Sequence, residues 1–185
     1  MAMLELNEVL IAGEQQTLSL MADEGRLTCL TGGTATRRRR WLYAMMGMEP
    51  LRVGYITIDG EPITTDTVRE LRRLMVFVPE QLSDVGMVQR CEAPSVQEVF
   101  SLRANRDLPI SNGLLAEEMR RTGIDGEQAR RLAVAVLLNR PVLLVDHPAG
   151  GSASYLLRQS RMGHTVIVAS ADETIMAIAD KVVEI

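Results

Sequence analysis

Cysteine is scarce in this chain. There are two among 185 residues, Cys29 and Cys91, too few for a disulfide framework or a cysteine-based metal cluster. Cys29 lies inside an apolar run and reads as a small buried hydrophobe. No apolar stretch approaches the ~20 residues that cross a bilayer, so direct membrane insertion is not expected. A basic surplus is also missing. Lys and Arg total 20 against 24 Asp and Glu, a net charge of −4, and the pI is near 5.3. That balance speaks against a chain-wide field for nucleic acid. The opening MAMLELNEVL has neither the charged start nor the apolar core of a signal peptide. There is no internal repeat and no low-complexity linker. What remains is an ordinary globular composition, 46% hydrophobic and 24% charged, with length enough for one domain and a sizeable core. The expectation is a cytoplasmic protein.

Periodicity supplies the element order. MLELNEVLIA and TLSLMA alternate as strands do, on either side of GEQQ. RLTCL is a short apolar run ending at Gly32-Gly33. RRRRWLYAMMGM, residues 37–48, then reads as a helix that stops at Glu49-Pro50, and its WLYAMMGM part is apolar on most faces and suited to burial against a sheet. Met45, Met46 and Met48 occupy positions that suit packing in a core. YITIDG alternates and closes on the turn signal Asp59-Gly60. DTVRELRR reads as a helix and LMVFV as a buried strand ending at Pro79. Three helical segments follow between residues 95 and 138. Beyond them VLLVD, HTVIVAS and KVVEI read as strands, with SASYLLRQSRM and DETIMAIAD as helices between them. Strands interleaved with helices call for an α/β fold with a mostly parallel sheet covered on both faces. The continuous apolar character of VLLVD and VIVA suits central strands. His164, at the start of one strand, reads as a surface histidine.

One junction carries a chemical signal. In LTGGTATRRRRW, residues 30–41, a strand-like run meets a helix-like run, as in phosphate-binding loops. The pattern G-x-x-x-x-G-K-[ST] falls on Gly32 to Arg39. Gly32 matches, while Arg37 stands for the second glycine, Arg38 for the lysine and Arg39 for the hydroxyl. Further on, RLAVAVLLNRPVLLVDHP, residues 131–148, ends an apolar strand on Asp146. This order and these motifs resemble the nucleotide-binding subunit of ATP-binding cassette (ABC) proteins over nearly the whole chain. The resemblance implies a P-loop NTPase fold with N-terminal β strands and one domain over residues 1–185. Its core would be 1–80 and 139–185, and its inserted helical subdomain about 90–138.

It also implies a set of site residues. Gly32, Gly33, Thr34, Thr36, Arg37, Arg38 and Arg39 occupy the loop that takes ATP. Asp146 is the Walker B carboxylate that acts on Mg²⁺. Glu80 stands where the glutamine sensing phosphate and metal belongs, and is the second candidate metal ligand. His147 takes the place of the catalytic glutamate. Ile124 to Gln128 stands for the signature motif; Gly126 and Gln128 match, and Asp125 and Glu127 replace a serine and a glycine. Ala171 replaces the switch histidine, and no aromatic residue near Ile11 and Ala12 offers an adenine platform. GGSAS occupies a shortened D-loop region.

With so many positions altered together, the resemblance points to a cassette that has kept the fold without ATP hydrolysis. It would be a non-hydrolysing subunit or regulator of a transporter-like assembly, peripheral to the membrane through a partner. The implied cofactors are ATP and Mg²⁺. The implied partners are a membrane permease, touched near residues 80–95, an intact ABC ATPase, or a second copy of the chain. Two other readings stand beside it. One is residual ATP binding and hydrolysis, with Arg38 in the lysine's role. The other is a module that uses Arg37 to Arg40 to bind an anion or acidic partner, because four cations at a helix N-terminus oppose its dipole unless negative charge sits there.

Overall fold

A computed structural model of the chain describes residues 3–81, 96–102, 105, 108 and 111–185, without the side chains of residues 96, 97 and 100. Cys91 and most of the segment expected to meet a permease lie outside them. Two sheets form. Strands β1 (Leu4–Ile11), β2 (Leu18–Ala22), β4 (Leu51–Ile58) and β5 (Glu61–Pro62) make an antiparallel sheet in the order β2-β1-β4-β5. Strands β3 (Leu27–Thr31), β6 (Met75–Val78), β7 (Val142–Asp146), β8 (Thr165–Ala169) and β9 (Lys181–Glu184) make the second, in the order β6-β7-β8-β3-β9. Every pairing in that sheet is parallel. The expected α/β fold with a parallel sheet is present, and the N-terminal strands form a layer of their own.

The core follows from the pleat. Side chains alternate along a strand, so a fully buried strand feeds two faces. On β7, Leu144 joins Leu30, Ile167 and the antiparallel-sheet residues Leu4, Leu6 and Ile56 around helix α1 (Ala35–Met45). Leu143 and Val145 face the other way. They pack with Val166 and Val168 against helices α5 (Gly126–Leu137), α6 (Ala153–Arg161) and α7 (Glu173–Ile178). Strands β7 and β8 are interior and buried at every residue, as their unbroken apolar runs suggested. Among the described residues there are also the short helices α2 (Val68–Leu71) and α3 (Val96–Ser101) and the longer α4 (Asn112–Arg121); α3, α4 and α5 lie between β6 and β7. Among the described residues no helix is long and apolar enough to cross a membrane.

Helix α1 ends earlier than its periodicity suggests. Gly47 adopts φ +64°, a left-handed conformation that closes the helix, and Met48 donates back to the Tyr43 carbonyl at 2.8 Å. Met45 and Met46 are buried in the core, but Met48 lies past the turn and is half exposed. The helix expected over DTVRELRR is likewise cut short, ending in a 3-10 turn at Arg72–Leu74. His164 is partly buried rather than on the surface, with Nδ1 2.9 Å from the Arg140 carbonyl.

Asp180 ties three elements at the N-terminal end of the parallel sheet. It accepts from Arg161 at 2.7 Å, from the Leu27 backbone N–H at 2.9 Å and from Arg26 at 3.0 Å. Burial alone would raise its pKa, but those three donors outweigh burial and lower it to about 2. A carboxylate with a lowered folded-state pKa adds stability above its unfolded pKa and loses it as pH falls through the folded value. Unfolding free energy is expected to drop between about pH 4 and pH 2, and Asp180→Asn should flatten that part of the curve. Urea melts of both chains across this window check it.

Candidate functional site

The parallel strands all end on one edge, which is where open α/β sheets hold ligands. Gly32 follows β3 there, Glu80 follows β6 by two residues, Asp146 closes β7, and Ser170 follows β8. The sequence-derived candidates from the loop, from Glu80 and from Asp146-His147 are therefore brought together. Gly32 is obligatory at this edge. Its φ is +83°, and a Cβ would come within 2.8 Å of the Ile185 carbonyl. Thr34 caps α1, its hydroxyl accepting the Arg37 backbone N–H at 3.1 Å, and Thr36 is exposed on the first turn.

The four arginines each engage the protein's own acceptors, although Arg37 and Arg40 stay partly exposed. Arg37 lies across Gly33 and donates through Nε to both Glu14 carboxylate oxygens at 3.0 and 2.9 Å. The hydrogen bond from Arg37 to Glu14 raises the arginine's pKa above its ordinary value; slight burial opposes this and the Coulomb attraction adds to it. Arg38 is buried, and its guanidinium donates to the carbonyls of Gly32 at 2.9 Å and Gly33 at 3.0 Å. Arg39 donates through Nε to Asp146 and through an outer nitrogen to Glu80 at 3.2 Å. Arg40 pairs with Glu49 and with the Ala12 carbonyl. The negative charge a helix start requires is thus supplied from within the chain. Glu14 and Glu49 were missed in the sequence because neither belongs to a motif. The available signal was the arginine run itself, which carries no acid in the first turn of α1 to neutralise it.

Glu80 is a hub. Besides Arg39, its other carboxylate oxygen lies 3.5 Å from His147 Nδ1, and its backbone carbonyl accepts from Arg131 of α5 at 2.7 Å. His147 sits in the left-handed region at φ +44°, its N–H donating to the Ala169 carbonyl at 2.9 Å. The signature-like residues split in direction. Gln128 points inward, giving a hydrogen bond to the His147 carbonyl at 3.1 Å and taking one from the Ala149 N–H at 2.9 Å. Asp125 and Gly126 form the exposed start of α5, and Glu127 is exposed with Arg130 3.7 Å away. Asp172 caps α7 through the Thr174 N–H, which is the main cause of its lowered pKa. Beside the loop, an open cavity of about 780 Å³ is lined by residues 13–16, Arg37, Arg40, Glu184 and Ile185. Among the described residues, no group of three His, Cys, Asp or Glu side chains could hold a metal ion.

No protein-family model matches the chain. Individual proteins do. It is 27% identical, over 99% of its length, to the Probable syringafactin export ATP-binding/permease protein SyfD of Pseudomonas syringae pv. syringae, covering 33% of that protein. It is 26% identical over 94% of its length to the macrolide export ATP-binding/permease protein MacB of Shewanella oneidensis, covering 31% of it. The structure of an ATP binding subunit of an ABC transporter matches with a TM-score of 0.73, over 99% of this chain and 85% of that one, at 17% identity.

The chain shares the fold of an ABC transporter's ATP-binding subunit and is similar in sequence to ABC export proteins.

It spans about one third of the length of the curated relatives it matches. Residues 32–39 lie where the sequence resemblance places a P-loop, and Asp146 ends β7, the strand it likens to Walker B. The Arg39–Asp146 pair joins those two motifs across 107 residues of sequence, with Asp146 1% exposed. Removing one partner of a buried pair leaves the other charge uncompensated. Asp146→Asn is therefore expected to lower the unfolding free energy by roughly 3 kcal/mol, measured by urea denaturation. A stabilised variant would contradict the pair, because it would mean Asp146 stands as an unrelieved buried anion.

Proposed function

We propose that this chain is an ATP-binding-cassette unit that works by binding and not by hydrolysis, as a subunit or regulator of an exporter-like ABC assembly. The carrying observation is that all four guanidinium groups of Arg37 to Arg40 are turned onto the chain's own carboxylates and carbonyls. A phosphate cradle needs glycines so that backbone N–H groups face the ligand without side chains in the way. Here Arg37 brings a side chain to the second glycine position and lays it over Gly33, while Arg38 is spent on the loop's own carbonyls.

The residues present do not fit Mg²⁺. The ion takes oxygen ligands in near-octahedral geometry, and a guanidinium offers only donors. Arg39, in the place of the ligating hydroxyl, holds the two candidate carboxylates itself. Glu80 faces His147 at 3.5 Å with one oxygen and Arg39 at 3.2 Å with the other, so neither position presents a free carboxylate to a water. Pairing of Arg37 with Glu14 and of Arg40 with Glu49 also argues against an anion site on the same cluster, because each guanidinium already holds a carboxylate. The relatives named above are export ATP-binding/permease proteins, and that likeness supports a membrane permease as partner, with an intact ABC ATPase or a second copy completing the assembly.

The purified chain, given millimolar Mg-ATP, is expected to release phosphate at the rate of the buffer alone, with the same result for Asp146→Asn. Calorimetric titration should show no heat of Mg-ATP binding. Turnover in the wild-type chain that disappears in Asp146→Asn would overturn this reading in favour of a residual ATPase.

A further inference from the structure

Arg39 projects from the second turn of α1 toward two carboxylates from two other elements. Its Nε meets Asp146 at the end of β7, and its outer nitrogen reaches Glu80 beyond β6 at 3.2 Å. Asp146 is 1% exposed and the Arg39 side chain 15%. This differs from an ordinary surface salt bridge, where solvent and side-chain entropy cancel most of the attraction. A carboxylate buried to this degree requires a counter-charge, and arginine keeps its proton at any ordinary pH.

We propose that Arg39 is a tethered cation in the place of the divalent ion, so that the carboxylate pair Asp146–Glu80 is a metal site closed by the chain's own guanidinium. Three features carry it. Arg39 stands at the P-loop position whose hydroxyl would hold the ion. It contacts both candidate metal carboxylates at once, as a bridging cation does. Through the Glu80 carbonyl and Arg131, the same cluster is tied to α5, so the link between the P-loop helix and α5 exists without nucleotide. A metal can be chelated or diluted away, whereas a side chain cannot, and the charge at this edge is therefore constant. The inference deepens the reading above and rests on the same site. The two fail separately: ATP turnover by the wild-type chain ends that reading, while Asp146-dependent metal uptake without turnover ends this one alone.

The test uses Mn²⁺ as probe, without nucleotide, on the full chain. Free Mn²⁺ is followed by electron paramagnetic resonance, and thermal melts are run with and without Mn²⁺ at matched ionic strength. The wild-type chain and Arg39→Lys should take up no Mn²⁺ at this site and melt at the same temperature in its presence. Arg39→Ser should lose roughly 6 °C or more in Tm, bind a single Mn²⁺ and regain part of the loss. Adding Asp146→Asn to Arg39→Ser should abolish that uptake. If Arg39→Ser does not fold alone, refolding in Mn²⁺ should rescue it. Mn²⁺ uptake by the wild-type chain that Asp146→Asn removes would overturn the proposal. So would an Arg39→Ser chain that neither binds Mn²⁺ nor is rescued by it.

Discussion

A buried carboxylate at the end of a central strand is the constraint around which this molecule is arranged. Asp146 closes β7 in the interior of the parallel sheet, nearly without solvent. An ionised group there must be paired or must give up its charge. The partner is Arg39 of α1, a helix held between the two sheets by Trp41, Leu42 and Met45. With α1 packed in this way, the guanidinium lies between Asp146 and Glu80. From there the order spreads: Arg131 of α5 binds the Glu80 backbone, and Gln128 of the same helix bridges His147 and Ala149.

The arginine run makes electrostatic sense only in this three-dimensional setting. Four cations at a helix start oppose the helix dipole, each at a modest cost if exposed. Here four different segments answer them: Glu14 beyond β1, Glu49 beyond α1, Glu80 beyond β6 and Asp146 at the end of β7. Internal neutralisation reconciles a strongly basic local stretch with an acidic chain. It also gives the loop a role. Gly32 holds a left-handed turn there, and Arg38 satisfies the carbonyls of Gly32 and Gly33 from within the chain.

Much of the fold is legible in the sequence because its signals are local. VLLVD and TVIVA are unbroken apolar runs and lie inside the sheet; Asp59-Gly60 closes the turn from β4 to β5. The end of α1 was misread because an apolar pattern continues to Met48, and only the conformation of Gly47 stops the helix. At the site, strand ends could be placed from the family's motif order. Their partners could not. Arg37 and Glu14 are 23 residues apart, Arg39 and Glu80 41, and Arg39 and Asp146 107. No periodicity reports such a pairing, so a guanidinium can be counted in the sequence but its acceptor cannot.

The cation-for-metal proposal requires the Arg39 guanidinium to stay on Asp146. The most direct measurement is ¹⁵N-detected NMR of arginine side chains, with the Arg39 Nε–H assigned by its loss in Arg39→Lys. A guanidinium held on Asp146 gives a resonance displaced from those of exposed arginines, slow to exchange with solvent, and unmoved by Mg-ATP. A fast-exchanging Arg39 Nε–H, or one that shifts when Mg-ATP is added, would show the guanidinium leaving Asp146 and would contradict it.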